Sequence, residues 1–251
     1  MNRERWQQLL AAALALAVWQ GAAMLVRAPI LLPSPLRVAD RLGVLLVTLD
    51  FWGTVGFSLL RIAGGFLLAL AAATVLAFGA GRFSLLEILL RPYVLAIKSV
   101  PVASFIILAL IWLRTSQLSL FISFLMVFPV LYTNVLTGIR GADEQLLEMA
   151  RVFRVPWKRR VRMIYLPAVE PFLLAGCATS LGMSWKAGVA AEVIGVVSGS
   201  LGERLYDAKI YLMTADLLAW TVVIVALSAG FEKLVLWLLR HILRRIGGAL
   251  A

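Results

Sequence analysis

The feature that most limits this chain's fold is a succession of apolar runs, each about as long as a helix needs to cross a bilayer. A helix rises about 1.5 Å per residue, so roughly 20 apolar residues match a hydrocarbon core of about 30 Å. By that ruler six spans fall at about 6–26, 56–80, 88–113, 117–138, 167–195 and 216–239. The second reads GFSLLRIAGGFLLALAAATVLAFGA, the third is interrupted by Lys98 and Pro101, and the fifth is the richest in small residues. The expected fold is all-α: a polytopic membrane protein of about six transmembrane helices in a single domain, 1–251. Between the first two spans, APILLPSPLRVADRL has the proline density of a surface turn that leads into a short amphipathic helix.

Composition agrees. The chain is 62% hydrophobic and 15% charged, whereas soluble domains run near 45–50% apolar and about 25% charged. The net charge of +11 does not indicate nucleic acid, because the cations lie between apolar runs and form no basic patch on a globular background. One cysteine, Cys177, excludes a disulfide framework, and one histidine, His241, excludes HExxH-type metal sites. Cys177 lies in the small-residue run LLAGCATSLG and reads as a packing residue. The N-terminal apolar stretch exceeds the roughly 7–15 residues of a signal-peptide core and lacks a cleavage site, so a retained first span is expected.

With the N-terminus inside, fourteen Lys and Arg fall on the cytoplasmic side against seven opposite, and the positive-inside rule places both termini in the cytoplasm. The cytoplasmic set is dominated by one block, EQLLEMARVFRVPWKRRVRMIYLPAVEP, residues 144–171. A lipid anchor would draw about 1 kcal/mol from each cation, but it has no need of this block's internal order. Acidic residues open it, and Leu146, Leu147, Ala150 and Phe153 follow at helical spacing, as in an amphipathic helix of about three turns. Pro156 then disfavours helix at Val155 and suits the start of a second short helix, WKRRVRMIY, which runs up to Pro167. Two short helices bent at a joint make a projecting knob.

The block resembles the cytoplasmic loop of the membrane-spanning subunits of bacterial ABC importers. That family's pattern is Glu-Ala-Ala, three residues, Gly, nine residues, Ile, one residue, Leu-Pro. Here Glu148, Met149 and Ala150 are followed by three residues and Arg154, and nine more lead to Ile164, Tyr165, Leu166 and Pro167. Met149 replaces an Ala, and Arg154 replaces the Gly that makes the family's bend. A left-handed Arg costs about 1 kcal/mol or more, so Pro156 is expected to supply the break. LLPSPLRV, RPYVLAIKSVPVASF, WKAGVAAEVIG and LYDAKIYLMTADLLAW extend the resemblance to permeases grouped with nitrate, sulfonate, taurine, bicarbonate and thiamine-precursor import.

The resemblance implies the type I ABC importer permease architecture. The 141–166 segment becomes a coupling loop, in which Glu148, Met149, Ala150, Arg154, Pro156, Trp157, Ile164, Leu166 and Pro167 engage an ATPase. It also implies two copies of an ATP-binding subunit carrying ATP and Mg, a second copy of this permease and an extracytoplasmic solute-binding protein, all at the inner membrane. The sequence holds no G-x-x-x-x-G-K-[ST] phosphate cradle, so no cofactor is expected in this chain and hydrolysis falls to a partner.

Candidates for the translocation path are Lys98, Ser99, Ser180, Ser184, Lys186 and Glu192. Ionisable groups inside spans are costly and functional by default, and the Lys98–Pro101 break frees backbone groups that can line a cavity. Gly176, Ser180, Ser184, Gly188 and Glu192 form one slowly drifting stripe at spacing four, open to tight packing or to lining a path at a dimer axis. For Lys98 and Lys186 the readings are attraction of an anionic solute, interfacial snorkelling, or an internal ion pair. Gly65, Ala69 and Ala73 read as packing, and Arg61 as structural. The alternative function is an ion-coupled secondary transporter or channel. That reading calls for acidic residues deep in several spans, where this chain supplies Glu192. An enzyme would need a nucleophile and base or a metal cluster, for which the chain is poorly equipped.

Overall fold

The computed structural model describes residues 3–247; residues 1–2 and 248–251, the tips of the expected 1–251 domain and of both termini, lie outside it. All regular structure among the described residues is helical. The helices are α1 (Arg3–Val26), α2 (Pro35–Leu46), α3 (Leu49–Arg82), α4 (Ser84–Ser99), α5 (Val102–Trp112), α6 (Leu118–Arg140), α7 (Glu144–Val152), α8 (Trp157–Arg160), α9 (Leu166–Gly195), α10 (Leu201–Ile210) and α11 (Thr214–Gly247).

Four helical segments have the length and hydropathy to cross a membrane: Leu49–Arg82, Thr115–Arg140, Trp157–Gly195 and Thr214–Arg245. The expected third span is no straight rod, because α4 and α5 meet at 109°. Val100 and Pro101 both have extended ψ values, 134° and 137°, as the steric conflict before a proline requires at Val100. Together the two helices are long and apolar enough to make one bent crossing. Glu87 near the start of α4 pairs with Arg140 at the end of α6, whereas Ile106 and Ala109 of α5 pack against Leu118 and Ile122 at the beginning of α6. The expected first span is a helix whose apolar stretch, Leu10–Val26, sits at the lower limit of spanning length. Against the expected six, four segments pass by length and composition, or five if the bent pair makes one crossing, and α1 is held to the body where Trp19 Nε1 donates to the Pro33 carbonyl (3.1 Å).

The core is the packing of α3, α6 and α9. A Cβ on Gly65 would lie 2.3 Å from the Leu120 carbonyl oxygen, and one on Gly188 would lie 2.6 Å from both Ile62 Cγ1 and Ser123 Oγ. Helices with small residues at such points approach almost to backbone contact, which is how helices associate where lipid removes the hydrophobic drive between them. Ala69 and Ala73 are fully buried on the same face as Gly65, so that stripe packs as expected. Ion pairs tie the two ends of the bundle. Arg41 of α2 pairs with Asp216 of α11 (Nη2–Oδ2 2.9 Å) and Arg204 of α10 with Asp50 of α3 at one end; Arg140 pairs with Glu87 at the other, beside the basic loop.

Candidate functional site

The loop between α6 and α9 is built from a capped helix and a left-handed joint. Asp143 opens α7, its carboxylate accepting from Gln145 N (2.8 Å) as an N-cap residue does. At the other end Arg154 N–H donates to the Arg151 carbonyl (3.1 Å) and Val155 N–H to the Ala150 carbonyl (2.9 Å). These are the two bonds of a Schellman cap, in which one residue turns left-handed. That residue is Arg154, with φ 52°. The expectation that Pro156 replaces the bend is therefore corrected: the chain turns where the resembled family has Gly, and Arg adopts the conformation that Gly makes cheap. Pro156 (φ −59°, ψ 147°) instead caps the start of α8, and Arg160 Nε closes the joint by donating to the Val155 carbonyl (2.8 Å).

The second helix of the expected knob does not end at Pro167. It passes through a π turn, Val161–Tyr165, in which Leu166 N–H reaches back to the Val161 carbonyl, and continues as α9. Pro167 has no N–H for the next rung of the ladder, and a wide turn absorbs the mismatch without a break. Trp157–Gly195 is thus one continuous segment.

Ala150 is buried and Leu147 half-buried against the body, while Glu148 is exposed. Met149, Val152, Phe153 and Trp157 leave an apolar surface on the outside of the knob, with Phe153 74% and Val152 78% exposed. Of the apolar residues at helical spacing, Leu147 and Ala150 turn inward, whereas Phe153 faces outward because it follows the last turn of α7 as the chain swings into the left-handed joint. Ile164 and Leu166 are half-buried, and Pro167 is exposed.

The six path candidates do not converge. Ser180 and Ser184 are fully buried, and their hydroxyls donate to carbonyls of their own helix, Gly176 (2.7 Å) and Leu181 (2.7 Å). Lys186 is exposed in a cleft between α9 and α11 that also holds Trp185 and Glu232. Lys98 lies in a different groove, between α4 and α6, where its Nζ donates to Thr133 Oγ1 (3.3 Å); Ser99 Oγ donates to Leu95 O (2.9 Å). Glu192 is fully buried and organises a knot of polar groups. Its Oε2 accepts from Ser58 Oγ of α3 (2.8 Å) and from Gly202 N of α10 (3.3 Å), while Ser58 Oγ accepts from Leu201 N (2.9 Å). Ser119 of α6 faces the same carboxyl. Sequence reasoning missed Ser58 and Ser119; the available signal was a lone hydroxyl on the core side of an apolar span. Arg61, expected to be structural, sits over the Phe57 ring (3.5 Å) and donates to the Ser116 carbonyl.

A helical membrane bundle that carries such a knob between its fourth and fifth expected spans matches a known family over residues 65–248: the binding-protein-dependent transport system inner membrane component. The chain belongs to that family. It is accordingly a multi-pass inner-membrane permease of ABC importers for small solutes, a transport subunit with no enzymatic role of its own. Among its relatives is the putative aliphatic sulfonates transport permease SsuC of Bacillus subtilis (strain 168), 31% identical over 248 residues, covering 97% of this chain and 89% of that protein. The bicarbonate transport system permease CmpB of Synechococcus elongatus is 28% identical over 200 residues, 78% of this chain and 70% of its own. The nitrate import permease NrtB of the same organism is 26% identical over 204 residues, 77% and 72% of the two chains.

Proposed function

We propose that two copies of this permease form an alternating-access pathway for a small anion, driven by two ATP-binding subunits that grip the 141–166 loop. ATP and Mg belong to those subunits, and an extracytoplasmic binding protein delivers the solute. The observation that carries this reading is the outward apolar surface of Met149, Val152, Phe153 and Trp157 around the exposed Glu148. Outside the bilayer such a surface is costly to leave wet and marks a contact with another protein. Glu148, Ala150, Arg154, Ile164, Leu166 and Pro167 keep the family's motif positions around it, with Ala150 serving as the inward contact that seats α7. The loop-bearing side is cytoplasmic in this reading, and so are both termini. The named solutes of the relatives, aliphatic sulfonates, bicarbonate and nitrate, are anions, which supports an anionic solute here.

The reading is tested by Glu148→Arg and Phe153→Asp. Both variants are expected to insert normally yet lose co-purification with the ATP-binding subunit, or lose its stimulated hydrolysis. Full transport by both variants would overturn the role given to the loop.

A further inference from the structure

The groove between α4 and the C-terminal half of α6 has a volume of about 370 Å³ and is lined by Arg91, Lys98, Arg140, Glu87, Tyr132 and Thr133 among others. Three cations against one carboxylate leave two positive charges, and that carboxylate is occupied, because Glu87 pairs with Arg140. Neither Arg91 nor Lys98 has a carboxylate partner among the described residues. Lys98 gives one of its three donors to Thr133 and keeps two. Thr133 in turn donates to carbonyls of its own helix (2.7 Å to Pro129 O), so its hydroxyl faces Lys98 as an acceptor. In the groove wall Tyr132 is 3% exposed, and its O–H is buried with no acceptor among the described residues.

Arg91 and Lys98 are exposed to the groove with their charge unmatched, and a buried donor without an acceptor costs about 1–3 kcal/mol. Both deficits are met by one kind of ligand, a compact group with negative charge and several acceptor oxygens. We propose that this groove is an oxyanion-binding subsite on the loop side of the permease, with Lys98 and Arg91 supplying the charge and Tyr132 a neutral donor. The site adds to the permease reading a stated place for the anion, and it rests on that reading only for which anion passes. Lys98 and Ser99 stand at the 109° bend and Arg140 immediately precedes the loop, so an anion held here bridges the bend and the segment leading to α7.

The test uses the permease purified with its ATP-binding partner in phosphatidylcholine nanodiscs, titrated calorimetrically with methanesulfonate, bicarbonate and nitrate. Wild type is expected to bind at least one of them saturably. Lys98→Gln and Arg91→Gln should each weaken binding tenfold or more, Tyr132→Phe severalfold, and Lys98→Arg should restore most of it; Arg37→Gln, on α2, should change nothing. If added phosphatidylglycerol displaces the anion from wild type, the oxyanion held in the cell is a lipid headgroup; if it does not, it is the soluble anion. Either result upholds the subsite. No saturable binding by wild type, or Lys98→Gln binding as tightly as wild type, overturns it. Glu148→Arg, run alongside, keeps the two claims apart: it should bind anion normally while losing the ATPase. Coupling that survives in Glu148→Arg counts against the loop and not against the groove.

Discussion

Arg154 holds the left-handed joint of the loop with φ 52°, a conformation that costs an L-residue with a Cβ about 1–2 kcal/mol and glycine very little. Arg154→Gly is therefore expected to stabilise the loop by about 1 kcal/mol, read as slower proteolysis between α7 and α8 in inverted vesicles. A faster cut would mean the Arg side chain contributes more than its backbone costs. At the far end of α9, Glu192 is the acceptor for Ser58 Oγ and Gly202 N–H among the described residues. Glu192→Ala removes it and leaves buried donors unpaired, a loss of about 2–4 kcal/mol; Glu192→Gln keeps an acceptor and should lose markedly less. Midpoints in mixed dodecylmaltoside–SDS micelles measure both. The sequence identified Glu192 as unusual from its type and setting alone. Its partners were illegible, since Ser58 lies 134 positions away and no local pattern announces a long-range hydrogen bond.

Among the helices, the crossings were legible where composition is decisive and misread where proline is. An unbroken apolar run such as 56–80 leaves one solution in lipid, and α3 extends through it. Pro101 and Pro167 offered the same signal to opposite effect. The first ends a helix and turns the chain by 109°, while the second is absorbed by a π turn inside a continuous segment. Which of these a proline does depends on what the neighbouring turn packs against, and that is a property of the bundle. The glycine stripes were more transparent, because small residues at helical spacing have meaning only at a close crossing. Gly65→Ala puts a methyl group 2.3 Å from a backbone oxygen of α6, an obstacle that no rotamer change relieves. It should cost about 1–3 kcal/mol in the same micelle titration, whereas Gly56→Ala, with open space around its Cβ position, should be silent.

For the whole molecule, charge asymmetry between the two ends predicts sidedness, and the chain offers a clean assay for it. Its one thiol, Cys177, is fully buried, so wild type should not react with a membrane-impermeant maleimide from either side. Phe153→Cys should label only in inverted vesicles and Thr48→Cys only in intact cells with a permeable outer layer. Reversal of that pattern would place the loop outside and end the coupling proposal. The path residues were chosen by type, as polar groups at membrane depth. The fold distributes them over a core contact, two separate grooves and a buried knot, because side-chain type does not report which face of a helix meets which neighbour.

The unbroken course from Trp157 to Gly195 makes a beam of this segment. From Trp157 to Glu192 it measures roughly 50 Å at 1.5 Å per residue, so each degree of tilt at one tip sweeps the other by about 1 Å. A force applied at Trp157 crosses the wide turn at Val161–Tyr165 without meeting a break, and it reaches the point where a single carboxyl clasps α10 to α3.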